Sequence, residues 1–221
     1  DATLARLAEM LLASNHPVIV AGQELAAHDA FAEAGELAEL LGVAVYQSSV
    51  AYSAQFPTEH PACMGSLTRS QKQVRSLLEP YDLLFCLGAD LLSMSVYSPT
   101  EPLPENLPVI HLSERGWELG KNYRTDLAVQ ANVKQTLAAL LPLLRAQRSA
   151  GHAAAAEKRL AELKPRNWSA QRDKARIEAM LAAETAPIDP GYLMLRFTEA
   201  LPKDAVVVEE GLISTLSLPG F

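Results

Sequence analysis

The stretch Tyr81–Leu91, YDLLFCLGADL, constrains this chain more than any other. Leu83 to Leu87 are five apolar residues in a row closed by Gly88, too few for a helix and too uniformly apolar for a strand with one wet face. They read as a central parallel strand buried on both sides. Parallel strands need crossovers, so helices must lie before and after it. In a doubly wound sheet the ligand crevice lies beyond the carboxyl ends of the strands, which puts Gly88-Ala89-Asp90 at a functional position.

The flanking sequence supplies those crossovers. Leu4, Leu7, Ala8, Leu11 and Leu12 have helical spacing and stop at Ser14-Asn15-His16-Pro17; Val18–Ala21 is then a strand closed by Gly22. Asp29 is expected to cap a helix carrying Phe31, Ala34, Leu37, Ala38 and Leu41 that Gly42 ends, and Val43–Tyr46 is the next strand. Gln47 to Ser66 reads as a long irregular stretch. A helix with Val74, Leu77 and Leu78 inward follows, delivering the chain to the central strand. Ser93 to Pro108, with its prolines, is expected to be a surface loop. Val109–Leu112 and Leu127–Val129 complete the strands, and Asn132 is expected to cap a helix with Val133, Leu137, Leu140, Leu141 and Leu144 on one face.

The expected fold is therefore α/β, a doubly wound parallel sheet with helices on both faces over residues 1–146. Composition shifts near Arg145 toward Ala, Glu, Lys and Arg, so 147–187 is expected to be a helical linker. Asp189-Pro190 opens another helix, with Leu193, Phe197 and Leu201 inward and Val206–Val208 as a strand running into Glu209-Glu210-Gly211. A helix and one strand cannot bury their own apolar face, which makes 188–221 the expected beginning of a truncated second domain. The opening Asp1, without an initiator Met, carries the same expectation of a piece of a longer polypeptide.

Among 221 residues, 49% are apolar and the net charge is −7 without a basic face, which argues against nucleic acid and anionic membrane as partners. Two cysteines and no signal-peptide layout imply a reducing, cytoplasmic setting. The chemistry-bearing motifs are sparse. No strand runs into Gly-x-Gly-x-x-Gly and there is no Walker loop. Gly22 and Gly88 are read first as structural turns and second as cofactor contacts. The five histidines are not at ligand spacing, Cys86 reads as a small buried hydrophobe, and Cys63 has no neighbour that would lower its pKa. Glu209-Glu210 are read as solvated or capping groups, with a catalytic role as the alternative.

The order of segments resembles the thiamine-diphosphate-dependent enzymes of the benzoylformate decarboxylase and acetolactate synthase type, over about Leu4 to Thr215. The matching pieces are PVIVAG at Pro17–Gly22, FPTEHPACMGSL at Phe56–Leu67 with its FP-x-x-HP-x-x-x-G pattern, YDLLFCLGADL, and LPVIHLSERGWELGKNYRTDLAV. Ala131-Asn132 stands where many members have Gly-Asp. IDPGYLMLRFTEALPKDAVVVEEG is similar to the entrance of the family's diphosphate-binding domain. The resemblance implies a middle domain of Rossmann-like fold, structural in role, followed by the start of the diphosphate-binding domain. It implies thiamine diphosphate and Mg2+ in the parent enzyme, held by amino- and carboxyl-terminal domains that are its partners here, and a parental homodimer or homotetramer. It implies no catalytic or metal-binding residue in this chain, except that Ser95 matches a loop position where benzoylformate decarboxylases place an active-site histidine. Glu210 and Gly211 would form the edge of the diphosphate site. Some relatives carry FAD or ADP on the middle domain. The alternative is an autonomous FAD- or ADP-binding module, or a scaffold domain, of the same fold.

Overall fold

The computed structural model describes residues 2–50, 52–94, 98–208, 210–211, 215 and 217–221. These fold into two compact units, Asp1–Asn167 and Trp168–Phe221.

The first unit opens with helix α1 (Ala2–Ala13), strand β1 (Pro17–Ala21), the short helix α2 (Glu24–Ala27), α3 (Phe31–Leu41) and β2 (Ala44–Gln47). It continues through β3 (Cys63–Ser66), α4 (Gln71–Leu78), β4 (Leu83–Leu87), β5 (Val109–Ser113), β6 (Leu127–Gln130), α5 (Val133–Gln147) and α6 (Ala150–Leu163). The six strands form one parallel sheet in the order β3-β2-β1-β4-β5-β6. β4 is interior and buried along its whole length, paired through Phe85 with Ile19 on one side and Ile110 on the other.

Alternate residues serve alternate faces. Val18, Val20, Ala44, Tyr46, Leu84, Cys86 and Val109 share one core with Val74 and Leu78 of α4 and Leu163 of α6. Their neighbours of opposite parity, among them Ile19, Val45, Phe85 and Leu112, are equally buried on the other face, where α1, α3 and α5 contribute Leu7, Leu37 and Leu137 to the core. Helices therefore cover both faces, as the alternation of strand and helix predicts.

Caps fall mostly where the residue types put them. Gly42 ends α3 in the left-handed region, at φ 60. Asn132 accepts from the Gln135 amide and starts α5. Asp29 departs from expectation: the helix begins after Ala30, and the Asp29 carboxylate instead takes the Lys134 ammonium at 2.9 Å. The irregular stretch from Gln47 to Ser66 also departs, because its last four residues are the edge strand β3. A bulge between its contacts with Val45 and Gln47 breaks the register. Cys-Met-Gly-Ser has no β-branched residue and no alternation to betray a strand.

The expected linker is helical. α6 belongs to the first unit, held by Arg159, whose guanidinium donates to the carbonyls of Asn15, Leu41 and Gly42 just ahead of β1 and β2. The second unit comprises α7 (Trp168–Leu181), α8 (Pro190–Ala200) and a final 3-10 turn at Leu218–Gly220. Asp189 caps α8 by accepting from the Tyr192 amide, with Pro190 at the first helical position, as read. Val206–Val208 is not a strand. It is coil, with Val206 90% and Val208 91% exposed, because no described strand in its unit offers the ladder it needs.

Candidate functional site

The strand order reverses direction between β1 and β4: the chain winds from β1 outward to β3, then crosses back to β4. Open α/β sheets bind ligands outside the carboxyl ends at such a switch point. Here that position is formed by Gly22-Gln23-Glu24 after β1, Gly88-Ala89-Asp90 after β4 and Ser113-Glu114-Arg115 at the end of β5.

The two glycine turns close on each other. The Gly22 amide donates to Leu87 O at 3.0 Å and the Glu24 amide to Gly88 O at 3.1 Å, which carries the β1–β4 pairing past the strands. A Cβ on Gly22 would lie 2.3 Å from Ala89 Cα and from Gly88 O. Gly88 itself has φ +61, and a Cβ there would meet Glu24 Cβ at 2.7 Å. Both glycines serve close approach of one turn to the other, the first of the two readings open from the sequence.

Over this closed seam lies a polar network that sequence reasoning missed. Glu24 is only 5% exposed, and its carboxylate accepts from Ser113 Oγ at 2.6 Å, the Glu114 amide at 2.9 Å and Arg115 Nε at 2.9 Å. Burial alone would raise the Glu24 pKa, but these donors outweigh it and hold the carboxyl below its ordinary value. The other edge of the Arg115 guanidinium donates to Asp90 at 2.5 Å. His28 extends the network: its Nε2 pairs with the Glu114 carboxylate at 2.8 Å while Nδ1 accepts from the Val133 amide. The signal available in the sequence was a charged residue just past the end of each of three strands.

Beneath the seam, the fully buried His111 donates from Nε2 to Ala89 O at 2.9 Å, and the neighbouring Cys86 thiol reaches the same carbonyl at 3.4 Å. Burial pushes the Cys86 thiol up, and burial likewise pulls the His111 imidazole below its usual value, leaving both neutral. They clamp the turn and have no nucleophilic character. Cys63 is buried too, and burial raises its thiol pKa.

The FP-x-x-HP-x-x-x-G loop is explained by packing. His60 stacks edge-on against Phe56 at 5.1 Å, accepts from the Ala62 amide, and lies against Gly35 of α3, where an added Cβ would come into contact with the ring at 3.4 Å. Its Nε2 is 3.5 Å from the Glu39 carboxylate, yet burial lowers its pKa.

Of the residues singled out from the sequence, Ser95 and Glu209 lie outside the described residues. Glu210 and Gly211 are exposed coil in the second unit, and a Cβ on Gly211 would fall 2.0 Å from Thr215 Oγ1. Among the described residues, no cluster of three or more His, Cys, Asp or Glu is arranged to hold a metal, and no helix is long and apolar enough to cross a membrane.

Residues 4–140 match the family model described as thiamine pyrophosphate enzyme, central domain. The chain belongs to the thiamine pyrophosphate enzymes. Within that family it is 27% identical over 209 residues to the benzoylformate decarboxylase of Pseudomonas aeruginosa, an alignment covering 95% of this chain and 36% of that protein. It is 32% identical over 141 residues to the acetolactate synthase isozyme 1 large subunit of Escherichia coli, covering 63% of this chain and 24% of that one. Among solved structures it resembles the thiamine diphosphate-dependent 4-hydroxybenzoylformate decarboxylase of Rhodococcus jostii RHA1, with a TM-score of 0.61 and 30% identity over 67% of this chain and 28% of that one. The chain thus spans between about a quarter and just over a third of the length of these relatives. The thiamine pyrophosphate enzymes' central domain is the α/β unit with its six-stranded parallel sheet described above.

Proposed function

We propose that this chain is the structural central part of a longer thiamine-diphosphate-dependent enzyme that decarboxylates a 2-oxo acid or ligates its decarboxylated product. In this reading residues 1–146 are the central domain, 147–187 a helical linker and 188–221 the opening of the diphosphate-binding domain. Thiamine diphosphate and Mg2+ are held mainly by the other domains, Glu210-Gly211 contributing only an edge, and the enzyme works as a cytoplasmic homodimer or homotetramer. The observation that carries the reading is the family match over residues 4–140, continued by likeness to a benzoylformate decarboxylase across 95% of the chain. The site geometry supports a framework role, since the buried groups at the strand ends bond to one another and the buried cysteines lack a lowered pKa.

The strand order favours one other reading, an autonomous FAD- or ADP-binding module, because that order is common to dinucleotide-binding sheets. Against it stands the seam at Gly22 and Gly88, which leaves no room for a diphosphate between the turns.

Substrate choice turns on Ser95. A serine hydroxyl can donate or accept a hydrogen bond but does not titrate near neutral pH, so it cannot replace an imidazole in proton transfer. The parent accordingly prefers a 2-oxo acid other than benzoylformate, or is a carboligase. The test is steady-state assay of the whole protein, loaded with thiamine diphosphate and Mg2+, on pyruvate, branched 2-oxo acids and benzoylformate. Cofactor-dependent turnover of a 2-oxo acid is expected; none with any substrate would overturn the class. Benzoylformate turnover on the order of 10 per second or more, unaffected by Ser95→Ala, would overturn the substrate assignment alone.

A further inference from the structure

The Glu24 carboxylate is bound in the manner of a phosphate. Its partners are a backbone amide, a serine hydroxyl and an arginine guanidinium, a donor set that open α/β sheets use for ligand phosphates at this position. It projects from the turn after β1, the same turn that carries the phosphate-binding glycines in dinucleotide-binding sheets. Here the amide of Glu24 is spent on Gly88 O and that of Leu25 on Gly22 O, so these two donors of the turn are taken up inside the fold.

We infer that Glu24 is an internal anion that occupies the nucleotide position of this fold, so that the chain excludes FAD and ADP from the switch-point crevice and carries there a latent oxyanion site. Two independent features support the exclusion. The seam between the Gly22 and Gly88 turns is closed by main-chain hydrogen bonds with a separation that would not admit even a Cβ. Above the seam, Arg115 is bridged between Glu24 and Asp90, so its charge is already neutralised from both sides. Removing the Glu24 side chain would strand Ser113 Oγ, the Glu114 amide and Arg115 Nε around a space the size of a carboxylate. Unpaired buried donors are costly, and an external oxyanion would relieve that cost. The inference rests on the fold and these contacts, and holds whichever activity the whole protein has.

The experiment compares the whole wild-type protein with Glu24→Ala by thermal melting in phosphate and in chloride at matched ionic strength, so that anion sites elsewhere cancel in the difference. Glu24→Ala is expected to melt below wild type in chloride and to gain at least about 2 °C more than wild type from about 10 mM phosphate. An equal phosphate response in the two proteins would overturn the latent site. If Glu24→Ala does not fold on expression, the same comparison is read as refolding yield with and without phosphate, a rise in phosphate being the expected result and no rise the contrary one. Titration of the wild-type protein with ADP and FAD completes the test. Nucleotide binding that Arg115→Ala abolishes would show the crevice open and overturn the exclusion; binding that is absent or indifferent to Arg115→Ala agrees with it.

Discussion

Leu83–Leu87 in the first unit and Val206–Val208 in the second are both short apolar runs, yet the first is wholly buried and the last is exposed at every residue. Helices show the same contrast. α5 buries Leu137, Leu140, Leu141 and Leu144, whereas α7 leaves Ile177, Met180 and Leu181 in solvent, Leu181 by 81%. The difference is partnership. β4 has a parallel strand on each side and helices over both faces, while Val206–Val208 has no strand to pair with among the described residues of its unit. A hydrophobic run becomes a strand only where its amides and carbonyls are also satisfied.

The sharpest way to break this comparison is to empty the core of one unit and trim the surface of the other. Phe85→Ala removes a fully buried ring beside β1 and β5 and is expected to cost about 3–5 kcal/mol. Leu181→Ala, on the exposed face of α7, should stay within about 0.5 kcal/mol. Urea denaturation followed by circular dichroism reads both, and comparable losses would mean that the second unit also possesses a core.

Gly22→Ala ranks next. The added methyl would meet the main chain of Gly88 and Ala89 on the partner turn, so overpacking of about 1–3 kcal/mol is expected, against near neutrality for Gly220→Ala, which has open space around it. Equal midpoints for the two variants would refute the closed seam.

Most of the architecture was legible because it is written locally. Five of the six strands, Gly42 as a helix stop, and Asn132 and Asp189 as caps follow from short apolar runs, left-handed glycine and side chains that accept from a backbone amide. What escaped is set by distant residues. β3 exists because β2 is there to pair with it, despite its bulge. Asp29 looks like a cap until Lys134, more than a hundred residues on, claims its carboxylate. The Glu24 network joins residues about ninety positions apart, so the sequence revealed the glycines of the site and not the ion pairs.

Acid should sharpen the contrast further. Glu24 has a depressed pKa in the folded state, so the stability it confers is complete above its ordinary value of 4.5 and is lost as pH falls through the lower folded value. Glu24→Gln is therefore expected to flatten the decline in stability below pH 4.5 while lowering stability at neutral pH. A wild-type slope retained in the variant would assign acid sensitivity to other carboxylates, such as Asp82, whose pKa is lowered by Ser14 and by the amides of Asn15 and His16 although burial opposes it.

Smaller and more local losses belong to the caps. Asn132→Ala and Asp189→Ala each remove one capping acceptor, a loss of about 1 kcal/mol to the helix concerned. Asn132→Ala should lower the main unfolding midpoint, because α5 belongs to the first unit's core. Asp189→Ala should chiefly raise amide exchange in α8 and leave that midpoint unchanged; a shared drop would join the two units into one cooperative fold.

The central claim, that this chain is framework and the cofactor chemistry belongs to other domains, is tested most directly by calorimetric titration of thiamine diphosphate with Mg2+ into the 221-residue chain. The account predicts no saturable heat in the micromolar range, since in the proposed reading Glu210 and Gly211 would supply only an edge of the site. Saturable binding with a Kd of about 1 μM, some −8 kcal/mol, would contradict it.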